Sequence, residues 1–389
     1  MKLPHKEHSA SFLWPSLRYQ WRFLDLFRTA TTQMLTRTAI AVGLAWVPLV
    51  VLCSLRGGGY TLLSFLKDYA SQSRFLIILP VLILAERPLH SRLSMVAHHF
   101  ETYVVLEDER PQFQASWESH ENARNSIPIR VVGLVLTYAT AAWLSQYLSP
   151  GGSEFVGWWM GAGGFRMFSP AGTWAFFVSY PMLVYYTYLW LWRQLLWARF
   201  LRATAVLNLR LVAAHPDHLG GLGFLEASML GQLPFSFCMG VGLAGAVANR
   251  VLNEGKTVFA FRFMAPILIA GVLLVCVVPY LFFTRTLMLM RRRGMSEYGA
   301  FAHAVGEQFE KKWLPRTNSL NEDVLTVPDF STTGDLYAVV RNIDEIRVIP
   351  VGAVDIYAII IVALIPGIPV VIAAIPFTVL VRAAMKLMF

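Results

Sequence analysis

The chain has 389 residues, of which 56% are hydrophobic and only 15% charged, and its formal net charge is +9. Soluble domains run nearer half apolar and a quarter charged, so this balance excludes an ordinary soluble globular protein and a disordered chain. The positive excess matches a polytopic membrane protein with Lys- and Arg-rich cytoplasmic loops, so the expected partner is the lipid bilayer and not nucleic acid.

Residues 1–37 carry Lys2, Lys6, Arg18, Arg22, Arg28 and Arg37 without a compact apolar core. They read as a basic cytoplasmic segment and not as a cleavable signal. Seven apolar runs follow, at 38–55, 75–85, 131–148, 171–192, 229–248, 263–284 and 351–381. A helix needs about 20 apolar residues to cross the hydrocarbon. The second run, "FLIILPVLILA", is shorter and carries Pro80, so it either extends upstream past Arg74 or re-enters. Charge arbitrates between the two. If every run crosses and the N-terminus is inside, 24 Lys and Arg fall in inner segments and 7 in outer loops; without the second crossing the bias inverts. The positive-inside rule therefore favours seven crossings.

The expected architecture is an all-α polytopic transmembrane helix bundle. Residues 38–290 form the bundle and include a cytoplasmic helical loop at 86–130, and 291–350 are a second cytoplasmic segment. In that segment Leu336, Val339, Val340, Ile343 and Ile346 share one helical face, while Arg341 and Glu345 form an i,i+4 pair on another. Residues 351–389 are the C-terminal membrane segment. Its long uncharged run is interrupted by Pro366, Pro369 and Pro376 and cannot be one straight helix. It either crosses with an unwound middle, the favoured expectation, or doubles back as a re-entrant hairpin. An unwound middle around Pro366, Gly367 and Pro369, with Asp355 as the carboxylate at the edge of the run, is a candidate pore or broken-helix site.

The sharpest motif is "HPDHLGGLGFL", where the fourth run gives way to the fifth. Pro216 and the glycines predict a corner in which Asp217 caps free backbone N–H groups, after a helix that continues from the fourth run through Arg210. His215, Asp217 and His218, with Glu226, also have the donor types to hold a divalent metal such as zinc, although the spacing is not that of a helical zinc motif. The His-Pro-Asp tripeptide of J-domain co-chaperones does not fit, because the preceding helix here grows out of a membrane span.

Other features have plainer readings. His98 and His99 point about 100° apart on a helix and with Glu101 read as a solvated face. "MRRRG" anchors the sixth span at headgroups, and the Gly- and Trp-rich loop at 149–174 lies at the interface. "GVGLAG" at 240–245 spaces small residues for close helix packing, and Cys53, Cys238 and Cys276 are packing residues.

"HPDHLGGLGFL", "YAVVRNIDEIRVIP" and the Pro-interrupted C-terminus together resemble a family of uncharacterised bacterial polytopic inner-membrane proteins, over about the C-terminal half. That resemblance implies a bacterial inner membrane and no particular activity. Patterns of a P-loop, GxSxG or CxxC type are missing from the sequence, and so is a GxGxxG with a following acid, since "GVGLAG" lies inside the fifth run. A channel or transporter for ions or small solutes is the leading expectation. The alternatives are a signalling or scaffold protein docking a cytoplasmic partner, a homo-oligomer included, and a metal-assisted membrane enzyme.

Overall fold

The computed structural model describes residues 32–57, 59–147, 157–159, 168–314 and 329–374. Most of the basic segment 1–37, much of the loop 149–174, and Pro376 with the rest of 375–389 lie outside these residues. Among the described residues the fold is all-helical and contains no strand, and Val105 and Leu209 form an isolated antiparallel bridge.

Eleven helical stretches carry the argument. They are α1 (Thr32–Gly57), α2 (Gly59–Leu66), α3 (Tyr69–Val104), α4 (Arg110–Asn125), α5 (Ile127–Tyr147) and α6 (170–206), then α7 (Leu225–Asn253), α8 (Val258–Cys276), α9 (Thr284–Trp313), α10 (Asp329–Asp344) and α11 (Ala353–Ala374). Five of them, α1, α3, α7, α8 and α11, have the length and apolarity to cross a bilayer. Among the described residues this measure gives five candidate spans, short of the expected seven. The apolar part of α5, Ile127–Thr140, is shorter than a full span. The run at 171–192 is helical within α6, rich in Tyr and Trp, and is not among these five.

The short second run is part of a continuous 36-residue helix. At 1.5 Å per residue α3 is about 54 Å long, against about 30 Å of hydrocarbon. Its first half therefore has room to cross, and the polar half beyond Glu86 must project. The same holds for α6. The molecule accordingly has two layers, an apolar bundle and a polar layer built from the far ends of α3 and α6 with α4, α9 and α10.

Helix α7 is the axis of the bundle and packs on α3, α8 and α11. Half of its apolar window is buried, against 6% for α8, which leaves the outer helix facing where lipid would lie. The glycines of "GVGLAG" explain the closeness. A Cβ at Gly240 would run into the Ala363 carbonyl of α11, and one at Gly245 into Ser73 of α3. Ser236 donates to the Ile359 carbonyl at 2.7 Å, so α7 and α11 run parallel with backbones in contact.

The last helix is interrupted by one 3₁₀ turn, Ile365–Gly367, and continues along α7 as far as Ala374. It does not double back within the described residues. Pro366 opens that turn, where the missing N–H is tolerated, and a single tightened turn absorbs the proline that a straight α-helix could not. The sixth run departs further from expectation: α8 ends at Cys276, and a 3₁₀ segment, Val278–Phe283 with Pro279, leads into the 30-residue α9.

Candidate functional site

The corner is built on Asp217. Its Oδ1 accepts from the amides of Leu219 at 2.8 Å and Gly221 at 3.1 Å, and its Oδ2 from Gly223 at 2.8 Å. Burial alone would raise the pKa of this carboxyl, but the three amides, joined by His215 Nδ1 at 2.8 Å, hold it below its ordinary value. The turn needs positive φ at Gly220 (66°) and Gly221 (96°), and also at His218 (53°), which is a costly place for a side chain. The expected capping role of Asp217 is what the turn uses.

The helix before the corner ends sooner than the sequence suggests. α6 stops at Val206, and residues 207–212 run extended. Arg210 donates its amide to the Val104 carbonyl at 2.7 Å, and Asn208 reaches Glu109 Oε1 at 2.7 Å. These partners come from the end of α3, about a hundred residues away, and no local signal announces them.

The corner is also the socket for the strap between α10 and α11. The Arg347 amide donates to the His218 carbonyl at 2.9 Å, and His218 Nδ1 lies 3.3 Å from the Asn342 carbonyl. Arg347 Nη2 pairs with Glu226 Oε1 at 3.2 Å, and the buried Asp355 carboxylate joins them around Gly352. A Cβ on Gly352 would sit about 2.9 Å from Asp355 Oδ2 and 3.2 Å from Glu226 Oε1, so glycine lets these charges meet. Below the corner, Gly294 of α9 lets Ala213 and Ile343 close on it.

The apolar face of α10 is seated as expected: Ile343 and Ile346 are fully buried, and Arg341 pairs with Glu345 at 3.0 Å on the open side. The "MRRRG" run is not simply a lipid anchor, because Arg291 is held by the carbonyl and carboxylate of Asp344 and Arg293 by Glu297.

The candidate metal ligands have other partners in this geometry. His215 stays beside Asp217, but Asp217 is committed to backbone amides, His218 turns toward α10 and Glu226 toward Arg347. Among the described residues no group of three His, Cys, Asp or Glu side chains is placed to hold a metal ion. Pro366, Gly367 and Pro369 pack alongside α7 and meet no polar partner in the turn they form, while Asp355 lies a helix length away at the corner.

Two polar clusters were not anticipated. At the opposite end of the bundle the buried Asp68 accepts from Asn249 Nδ2 at 2.6 Å, Ser71 Oγ at 2.6 Å and Trp158 Nε1 at 3.3 Å. Trp158 is thus a buried donor and not an interfacial ring. The second cluster lines a cleft of about 270 Å³ between α3 and α4, with His90, His98, Glu101 and Glu121 around Phe113 and Trp117. His120 stacks behind Trp117 with ring centroids 5.0 Å apart, and burial pushes its imidazole below the ordinary pKa. His98 and Glu101 were visible as a polar helix face, but their convergence on α4 needs the fold.

No protein-family model, no curated protein and no solved structure matches this chain.

Proposed function

We propose that the protein is an integral protein of a bacterial inner membrane, N-terminus inside, acting as a scaffold or signalling platform that docks a cytoplasmic partner through its polar layer. The observation that carries this reading is the backbone contact between α7 and α11, where Gly240 meets Ala363. Close packing beside the candidate pore segment of the last span favours a docking role over a channel or transporter. Charged side chains gather instead at the two ends of α7. The Lys and Arg distribution supports the orientation, and the shared corner block supports kinship with the bacterial polytopic proteins.

Site-directed labelling tests this. With Cys53, Cys238 and Cys276 replaced by Ala, Ser236→Cys and Ala363→Cys, both fully buried, should resist a membrane-impermeant thiol reagent from either side. Phe301→Cys and Tyr337→Cys, 59% and 49% exposed on α9 and α10, should react from the inner side alone. Labelling at 236 and 363 would restore the transport reading, and outer labelling at 301 would invert the topology.

A further inference from the structure

The cleft between α3 and α4 has the chemistry of a binding site, and neither the corner nor the bundle uses it. Two carboxylates face it, each only partly committed. Glu121 gives Oε2 to Arg124 at 2.8 Å, but its Oε1 is buried and has no hydrogen-bond partner. His90 Nδ1 stands 3.9 Å from that oxygen, beyond hydrogen-bonding distance. Glu101 accepts from Gln114 Nε2 at 2.7 Å through one oxygen and is otherwise open.

Buried acceptors without donors are rare in native proteins, and each calls for an account. The floor here supplies one, since it is Phe113 and Trp117, with Trp117 braced by His120 on one side and Phe200 at 5.2 Å. Two carboxylates, beside His90 and His98, over an aromatic floor favour a small organic cation. The N–H donors meet the carboxylates, the apolar body lies on the rings, and the ring faces attract positive charge. A volume of about 270 Å³ is at the small end for ligand pockets and suits a small aromatic amine.

We propose that this cleft binds a small organic ammonium ion, its N–H groups donated to Glu121 and Glu101 and its apolar part laid on Trp117, with Phe113 buried beneath. The proposal goes beyond the docking function and stands or falls apart from it. A free amine and the ammonium of an ethanolamine lipid headgroup share the chemistry.

The test uses the purified full-length protein in detergent, with tryptamine as probe and calorimetry as readout. Tryptamine should bind saturably, while indole-3-propionate, of similar shape but opposite charge, should not. Glu121→Gln should weaken tryptamine about tenfold or more, as loss of a charged hydrogen bond does, and Glu101→Gln and Trp117→Leu should weaken it too. Glu118→Gln, on the exposed face of α4, should leave it unchanged. An unchanged thermal midpoint shows that each variant is folded, and Glu101→Gln replaces Glu121→Gln if the latter is not. In nanodiscs, weaker tryptamine binding with ethanolamine lipids than with glycerol lipids would identify the headgroup as the resident cation, and equal binding would identify a free amine. No saturable binding, equal binding of the propionate, or indifference to both Glu variants would overturn the proposal.

Discussion

Ser236 Oγ donates to the carbonyl of Ile359 at 2.7 Å, and one turn further along both helices Gly240 faces Ala363 with no room for a side chain. The two residues of each helix are four apart, so the same face makes both contacts. This is how a proline-rich, almost wholly apolar helix is held at one height against the axis of the bundle.

Gly240→Ala should therefore lower the thermal midpoint in detergent, with a loss of about 1–3 kcal/mol from overpacking against backbone that cannot swing aside. Gly43→Ala and Gly271→Ala, which meet nothing within 4 Å, are the controls. They should be neutral or gain up to about 1 kcal/mol from helix propensity.

Asp217→Asn replaces a carboxylate that accepts from three amides with a group whose NH₂ opposes one of them. The expected cost is about 2–3 kcal/mol, read as faster hydrogen exchange at Leu219, Gly221 and Gly223. The pH dependence has a definite sign. Because the folded pKa is lowered, the contribution is fully present above the unfolded value near 3.8 and is lost as the pH falls through the lower folded value. Wild-type corner amides should lose protection only in that acid window, and the Asn variant should show no such step.

His218→Gly should stabilise the corner by up to about 1 kcal/mol, because glycine adopts φ of 53° without steric cost. Gly220→Ala should do the reverse by about 1–2 kcal/mol, since its φ is 66° and Met290 Sδ crowds the new Cβ. Thermal unfolding in detergent compares the two. A destabilised His218→Gly would mean that the contact from His218 Nδ1 to Asn342 outweighs the backbone term.

Arg347→Met strands the carboxylates of Glu226 and Asp355 in a partly buried site, and a loss of about 1–3 kcal/mol is expected. Adding Glu226→Gln should recover part of it, so a double-mutant cycle on thermal stability should give a coupling of about 1 kcal/mol or more. Strict additivity would show that the strap is held by its backbone bond to His218 alone.

Much of this molecule was legible before its fold. The seated face of α10 followed from apolar spacing, the tight faces of α7 from three glycines, and the capping by Asp217 from residue types next to Pro216. Each depends on neighbours within a turn or two, where periodicity and local sterics decide. The misreadings have one cause. The end of α6, the pairing of Arg291 with Asp344 and the turning of His218 and Glu226 to other partners depend on residues roughly 50 to 130 positions away.

By itself the sequence determined that this is an all-helical chain with spans of bilayer length, because charge depletion and apolar run length are properties of composition and local order. Only the tertiary structure decided what the polar residues do. It buried Asp68 under Asn249 and Trp158, turned His218 toward α10, and brought Glu101 and Glu121 from separate helices to one aromatic floor. A buried charge is tolerable only where donors converge on it, and convergence is a property of the packed helices and not of any one of them.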